Sequence, residues 1–500
     1  MCACAWADVA IDAANFPDET FRLYVQNNIA EGESILTTEQ AEEVLYMDDL
    51  SEMGITSLKG IEHFPNLETL DCGENRIKSL NLSGCASLTY LDCSSCELES
   101  LDVTGCISLE TLYCGENRIT SLDLSGCASL TYLDCYGNKL ASLDVTSCVS
   151  LTELWCSSCD LESLDVIGCA ALEILSCSDD RIKSLNLSGC ASLKELWCYS
   201  NKLESLDVTG CASLEILSCE DNRIKSLDFT GCNALEELNC DNCKFESLNL
   251  TGCKALIILR CQNNNLESLN ITGCEALFIL TCSDNRLTAI DISGVTHLGV
   301  LDCSGNNISE LDVSGSKSIS LLYCNRNKIA TLDLSSCTTL TDLWCANNDL
   351  TELNVSGCAS LDALYCSRNR ITRLDLSGCP ALTNLWCEGN DLTALDVSGC
   401  ASLKALDCNN NKLATLDISG SPLLLVLSCL GNNISELDTA NKKYLAYLEC
   451  STNKIMALDL SGCPEIATLR CSNNDLASLN VSGCTALNYP LMPLQQDKSS

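Results

Sequence analysis

The sequence predicts a mainly β solenoid of about twenty 21-residue coils, with a parallel concave sheet, short strands or turns on the convex side and a small α-helical N-terminal cap. Three observations predict it. Cys72 recurs every 21 residues as far as Cys471 without an insertion or deletion, giving twenty rows, and a fixed period in this range marks a stacked-repeat architecture. Within a row, Leu70 and Cys72 alternate with polar residues, and Leu80 and Leu82 repeat the alternation; this is the period of a strand with one face buried. Between the two stands Asn75, whose equivalents are Asn in sixteen rows, replaced by Cys96, Cys159, Cys243 and Asp180 in the others. A side-chain amide there can satisfy backbone groups left free where strand pairing ends.

Each row reads LxxLxCxxNxLxxLxLSGCxx. Its first half resembles the core of a leucine-rich repeat with Cys in place of the third Leu, and the full pattern resembles the bacterial IRREKO-type class. The resemblance spans residues 67 to about 486. It implies a leucine-rich-repeat solenoid, a fold that serves as a scaffold for many binding surfaces. The Ser83-Gly84 equivalents close each row as a turn, so the outer wall is expected to be narrow and the stack weakly curved.

Four segments follow. Residues 1–7 contain Ala5-Trp6-Ala7 before Asp8, which resembles the end of a secretory signal peptide and is expected to be its remnant. Residues 8–66 form the cap and an irregular first coil: one helix from Asn15 to about Asn28, a second from Thr38 to about Tyr46, then a core of Ile55, Leu58, Ile61 and Phe64. A cap is required because the first coil would otherwise present its apolar face to water. The stretch FPDETFRLYV resembles N-terminal caps of secreted repeat proteins of anaerobic Firmicutes. In those an acidic EF-hand-like loop follows, but here NNIAEGESILTTE lacks Asp at the first, third and fifth loop positions, and calcium is not expected. Residues 67–486 form the solenoid as one elongated domain, and 487–500, opening with Tyr489-Pro490, form a C-terminal tail without a visible cap helix.

The net charge of −39 repels phosphate backbones and anionic membranes, which argues against nucleic-acid binding. No apolar run reaches the roughly 20 residues that span a bilayer, so membrane insertion is not expected. Only His63 and His297 are present, and no nucleophile–base set can be assembled from them. No catalytic residues, metal centre or cofactor are expected.

The chain has 41 cysteines. Those in the strand column never vary, as expected of a small apolar side chain filling a narrow interior. Cys93-Ser94-Ser95-Cys96, Cys156-Ser157-Ser158-Cys159 and Cys240-Asp241-Asn242-Cys243 have metal-ligand spacing, but none falls in adjacent rows and a straight column of thiols does not converge into a tetrahedron. The Ser-Gly-Cys column is interrupted at Val295, Ser316, Ser421 and Lys442; a lysine at an equivalent position argues that this column reaches solvent. The remaining cysteines fall in even runs: Cys85, Cys106, Cys127, Cys148, Cys169, Cys190, Cys211, Cys232, Cys253 and Cys274; Cys337, Cys358, Cys379 and Cys400; Cys463 and Cys484. Disulfides between neighbouring coils would leave this pattern, and so would duplication by pairs of coils.

Asn81 and its equivalents are Asp in fourteen rows and Asn in six. Free exchange with Asn points to a turn that needs only the side-chain oxygen rather than to a calcium ladder. The functional signal lies in the column of Asp71, outward at the centre of the sheet. It carries Tyr113, Trp155, Trp197, Arg260, Tyr323, Trp344, Tyr365 and Trp386, and every Trp beyond Trp6. Clustered exposed aromatics mark contact sites, with cross-strand packing as the other reading. Trp155 and Trp197 lie two rows apart, as do Trp344 and Trp386, which places them roughly 10 Å apart. That spacing suits sugar rings of an extended glycan, and the residue types suit a protein partner equally. The sequence therefore points to a secreted or cell-surface bacterial binding protein, without enzymatic activity, that recognises an extracellular protein or glycan. The alternative is a structural rod self-associating through its C-terminal end into a filament or surface layer.

Overall fold

A computed structural model describes residues 8–487; the expected signal remnant, Cys2, Cys4 and the tail from residue 488 lie outside them. The cap opens with Val9–Ala10 paired antiparallel to Ile35–Leu36. Helix α1, Glu19–Tyr24, continues as a π-helical turn over Val25–Ile29 and buries Phe21 and Val25. It starts later than Asn15 because Asp18 caps it, accepting from the Phe21 amide at 2.9 Å. The other carboxylate oxygen of Asp18 accepts from the amide and hydroxyl of Thr56, which ties the helix to the first coil. Helix α2, Thr38–Glu43, begins with a capping box between Thr37 and Gln40. Ile55, Leu58, Ile61 and Phe64 are buried, as expected.

The chain groups into two compact units that meet between Phe245 and Glu246 in sequence. Each coil of a solenoid touches only its neighbours, so no single core holds the array together. In the first unit a short strand, Tyr46–Met47, pairs in parallel with Thr69–Asp71. The following strands stack at 21-residue intervals, the first pair in register Thr69↔Tyr90, Leu70↔Leu91 and Asp71↔Asp92. The second unit repeats this ladder from Ile258–Arg260 to Thr468–Arg470. On the convex side some coils form strands, as in Ser142–Asp144, Ser163–Asp165 and Leu185–Asn186 of the first unit and Thr331–Asp333 with Glu352–Asn354 of the second. The other coils turn without them. Leu and Cys of the strand column are buried throughout, apart from the half-buried final coil.

The Asn column is an internal hydrogen-bond ladder. Asn117 Nδ2 donates to the carbonyls of Cys93, Cys114 and Gly115, and Oδ1 accepts from the amides of Cys96 and Leu98. Where Cys replaces Asn, the thiol takes over one donation: Cys96 to the Cys72 carbonyl, Cys159 to that of Cys135, and Cys243 to that of Cys219, at 3.0, 3.1 and 3.3 Å. The column of Asn81 makes the expected turns: Ser83 N donates to Asn81 Oδ1 and Thr104 N to Asp102 Oδ1. Hydrogen bonds of this kind hold the carboxyl groups of Asp123 and Asp207 below their ordinary range. Asn at this position also relieves repulsion between stacked carboxylates, Asn354 donating to Asp333 and Asn480 to Asp459.

The expectation that the Ser-Gly-Cys column reaches solvent is corrected. The column lies inside: Cys106, Ser316 and Ser421 are fully buried, and Lys442 is 1% exposed with its ammonium donating to the Ser421 carbonyl. Burial pulls the Lys442 pKa down, while Asp438 and Asp417 hold it up. The long side chain therefore fits without reaching solvent. In this structure the sixteen cysteines of the column, from Cys85 to Cys484, stand as free thiols. Parallel coils point successive Cβ atoms the same way, and many of the thiols instead donate to a carbonyl of the coil before, as Cys106 does to Leu82 at 3.3 Å and Cys358 to Leu334 at 3.4 Å. Burial pushes these thiols up, Cys85 to about 11 and Cys106 to about 12, so they stay protonated and unreactive. Alkylation in denaturant without reductant is expected to label all of them. A mass gain on prior reduction would show that bridges form after all.

Candidate functional site

The concave strands present every other residue outward, and the aromatic residues gather there because each coil repeats the same register. In the first unit Tyr113 stands between Tyr90 and Tyr132, with ring centroids 5.9 and 4.9 Å away. Trp155 and Trp197 form a separate pair. Their rings are 5.5 Å apart rather than the expected 10 Å, because the small Ser176 between them lets the indoles lean together. No sugar ring fits into that gap. Trp155 Nε1 also donates to Glu153 at 3.3 Å.

In the second unit Tyr323, Trp344, Tyr365 and Trp386 occupy four successive strands and form one continuous strip of touching rings. Successive centroids are 5.8, 4.3 and 4.4 Å apart, and Tyr365 lies within 7° of parallel to Trp386. Tyr365 and Trp386 thus cover one another's faces, whereas Tyr323 meets Trp344 edge-on at 69° and Trp344 is tilted by 35° from Tyr365. Trp344 is the most open of the four at 40% exposed. Burial, with Asp342 adding to it, pushes the phenols of Tyr323 and Tyr365 above their ordinary range. Arg260 ends the strand Ile258–Arg260, three coils before Tyr323, and is not part of the strip.

Beside the strip is a concavity of about 300 Å³ lined by Trp344, Tyr365 and Trp386 on one side and by Asn325, Arg326, Asn347, Arg368, Ser367 and Glu388 on the other. The polar residues come from the turn that follows each strand. Glu388 bonds the Ser367 hydroxyl. Sequence reading missed this second wall, although its signal was present: the position two residues after the strand cysteine is basic only at Arg326 and Arg368. Among the described residues no group of three or more His, Cys, Asp or Glu is arranged to hold a metal ion, and no helix is long and apolar enough to cross a membrane.

A family model described as leucine-rich repeats in two copies matches residues 65–105 and 107–147. Among solved structures, the functional domain of InlJ from Listeria monocytogenes, which includes a cysteine ladder, is 31% identical with a TM-score of 0.61, over 71% of this chain and 78% of that one. The plant peptide hormone receptor RGFR1, in complex with RGF2, shares the fold at 17% identity and a TM-score of 0.57, over 84% and 90% of the two chains. The Leptospira interrogans leucine-rich-repeat protein LIC12759 does so at 22% identity and 0.50, over 80% and 93%. No curated protein matches the sequence. With its 21-residue coils, its buried cysteine column and this likeness to InlJ, the chain belongs to the leucine-rich-repeat family.

Proposed function

We propose that the chain is a binding protein without enzymatic activity, placed at the bacterial surface or in the extracellular space, that takes a protein partner on its concave aromatic strip. The observation that carries this reading is the four-ring strip from Tyr323 to Trp386 beside an open concavity. Half-exposed Trp and Tyr next to Arg is the composition of a protein-binding hot spot. A protein is favoured over the glycan that the sequence equally allows, because the rings are packed against one another at 4.3 to 5.8 Å between centroids, too close for a sugar ring to enter between them, and arginines stand beside them. The location rests on the Ala5-Trp6-Ala7 pattern and the resemblance of the cap. Buried thiols suit it, since they are shielded from extracellular oxidants.

Tryptophan fluorescence tests the reading directly, because every Trp of residues 8–487 lies on a concave strand. Titration with candidate extracellular proteins is expected to give a saturable change, and Trp344→Ala to weaken binding more than about tenfold. Saturation with polysaccharides and none with proteins would replace the protein reading by the glycan one.

A further inference from the structure

The turn position that supplies Arg326 and Arg368 has a left-handed backbone, with φ of 56° and 54° at the two arginines. Residues other than Gly, Asn and Asp are disfavoured there. The eighteen equivalents elsewhere are Asn, Asp, Gly, Ser, Thr or Glu. Two long cations at this position, both beside the four-ring strip and nowhere else in a chain of net charge −39, are unfavourable choices for the fold. Residues kept in such a conformation point to a function for the side chain.

Their surroundings show what the side chains are placed for. Arg326 Nη2 is tethered to Asp284 Oδ1 at 2.8 Å. The tether crosses Gly305, where a Cβ atom would collide with the Asp284 carboxylate. One edge of the guanidinium is thereby fixed, and its other donors remain for a ligand. Arg368 sits two coils further along, where Arg326 takes the place that Asp284 has for Arg326, so the same tether cannot form. Among the described residues Arg368 makes no ion pair, and the nearby Glu388 is turned to Ser367. Between the two arginines in the same column stands Asn347, also lining the concavity.

We propose that this wall binds an acidic segment of the partner protein: Asp or Glu side chains are held by Arg326 and Arg368, and an adjacent apolar side chain lies against Trp344 and Tyr365. The inference rests on the protein-binding reading above and names the chemistry of that partner. Arginine suits a planar carboxylate because its donors match both oxygens. The rest of the acidic chain would repel such a segment, so the two cations decide where it lands.

The test is selection from a randomised pool of N-acetylated, C-amidated dodecapeptides, which removes terminal charges, on the full chain and on two variants. Arg326→Asn with Arg368→Asn installs the residue that Asn347 already shows to fit this backbone. Trp344→Ala removes the aromatic wall. The wild type is expected to select peptides enriched in Asp or Glu beside Leu, Phe or Tyr, and the double Asn variant to bind those peptides at least tenfold more weakly. Selection without acidic enrichment, or equal binding by the double Asn variant, overturns the acidic-segment proposal. If Trp344→Ala alone then abolishes binding, the protein-binding reading stands without it. If the wild type selects nothing, both fall.

Discussion

Asn117→Leu is expected to destabilise the first unit by about 3–5 kcal/mol, more than a surface substitution in any coil. The change removes no apolar contact and is close in volume, so the effect isolates the hydrogen bonds. Asn117 alone satisfies the Cys93 carbonyl and the amides of Cys96 and Leu98, and it shares the carbonyls of Cys114 and Gly115 with Asn138 Nδ2 and the Ser95 amide. The side chain is buried, so water cannot replace it, and each orphaned backbone group costs roughly 1–3 kcal/mol before the turn relaxes. Asn117→Cys is expected to cost less, because Cys96, Cys159 and Cys243 show a thiol keeping the donation to the preceding coil. Urea unfolding, with hydrogen exchange at the amides of Cys96 and Leu98, measures both. Equal loss in the two variants would mean that the carbonyl donation contributes little and the amide acceptance nearly everything.

The Asn column also shows how far the sequence could be read. The 21-residue spacing made the coil, the strand and the role of Asn75 legible, because each depends on local alternation repeated twenty times. The cap helices were legible as elements from the acidic first turn and the apolar residues, but the sequence reading starts the first at Asn15, because it does not include the capping role of Asp18. What escaped depended on side-chain direction across coils. Lys442 read as a solvent-reaching residue because charge usually is, yet its stem lies in the interior and its ammonium meets the Ser421 carbonyl. The even runs of Ser-Gly-Cys left bridges and duplication by pairs of coils both open, because spacing does not reveal the direction in which neighbouring Cβ atoms point. The candidate site was half legible. The aromatic column stood out by residue type, whereas the leaning of Trp155 onto Trp197 depends on the size of Ser176 between them. Arg326 and Arg368 lie in a turn column, outside the strand that drew attention.

Asp180→Asn is expected to stabilise the first unit by up to about 3 kcal/mol at neutral pH and to do nearly nothing at pH 4. Asp180 replaces the ladder amide. Its Oδ1 accepts from the amides of Cys159 and Leu161 at 2.8 and 2.9 Å, as an Asn would. Its Oδ2 is buried with no partner, in the place where the Asn coils put a donor toward carbonyls; here those belong to Cys156 and Cys177. An ionised oxygen there sets acceptor against acceptor, whereas a protonated one can donate. Burial accordingly pushes this carboxyl up to about 6, against the lowering by its backbone hydrogen bonds. Because the folded value lies above the ordinary 3.8, the neutral acid's contribution is complete below pH 3.8 and is lost as pH rises through 6. Above that, folding must either retain a buried charge or bind a proton from dilute solution. The Asn variant has no such loss, so the difference in urea midpoint between the two proteins should open between pH 4 and pH 7 and then level off. A difference that stays constant across this range would show that Asp180 is already ionised and solvated in the folded chain. A single carboxyl in an otherwise neutral ladder would thus make the coils around Leu161 and Asp180 the first part of the unit to loosen as pH rises through 6.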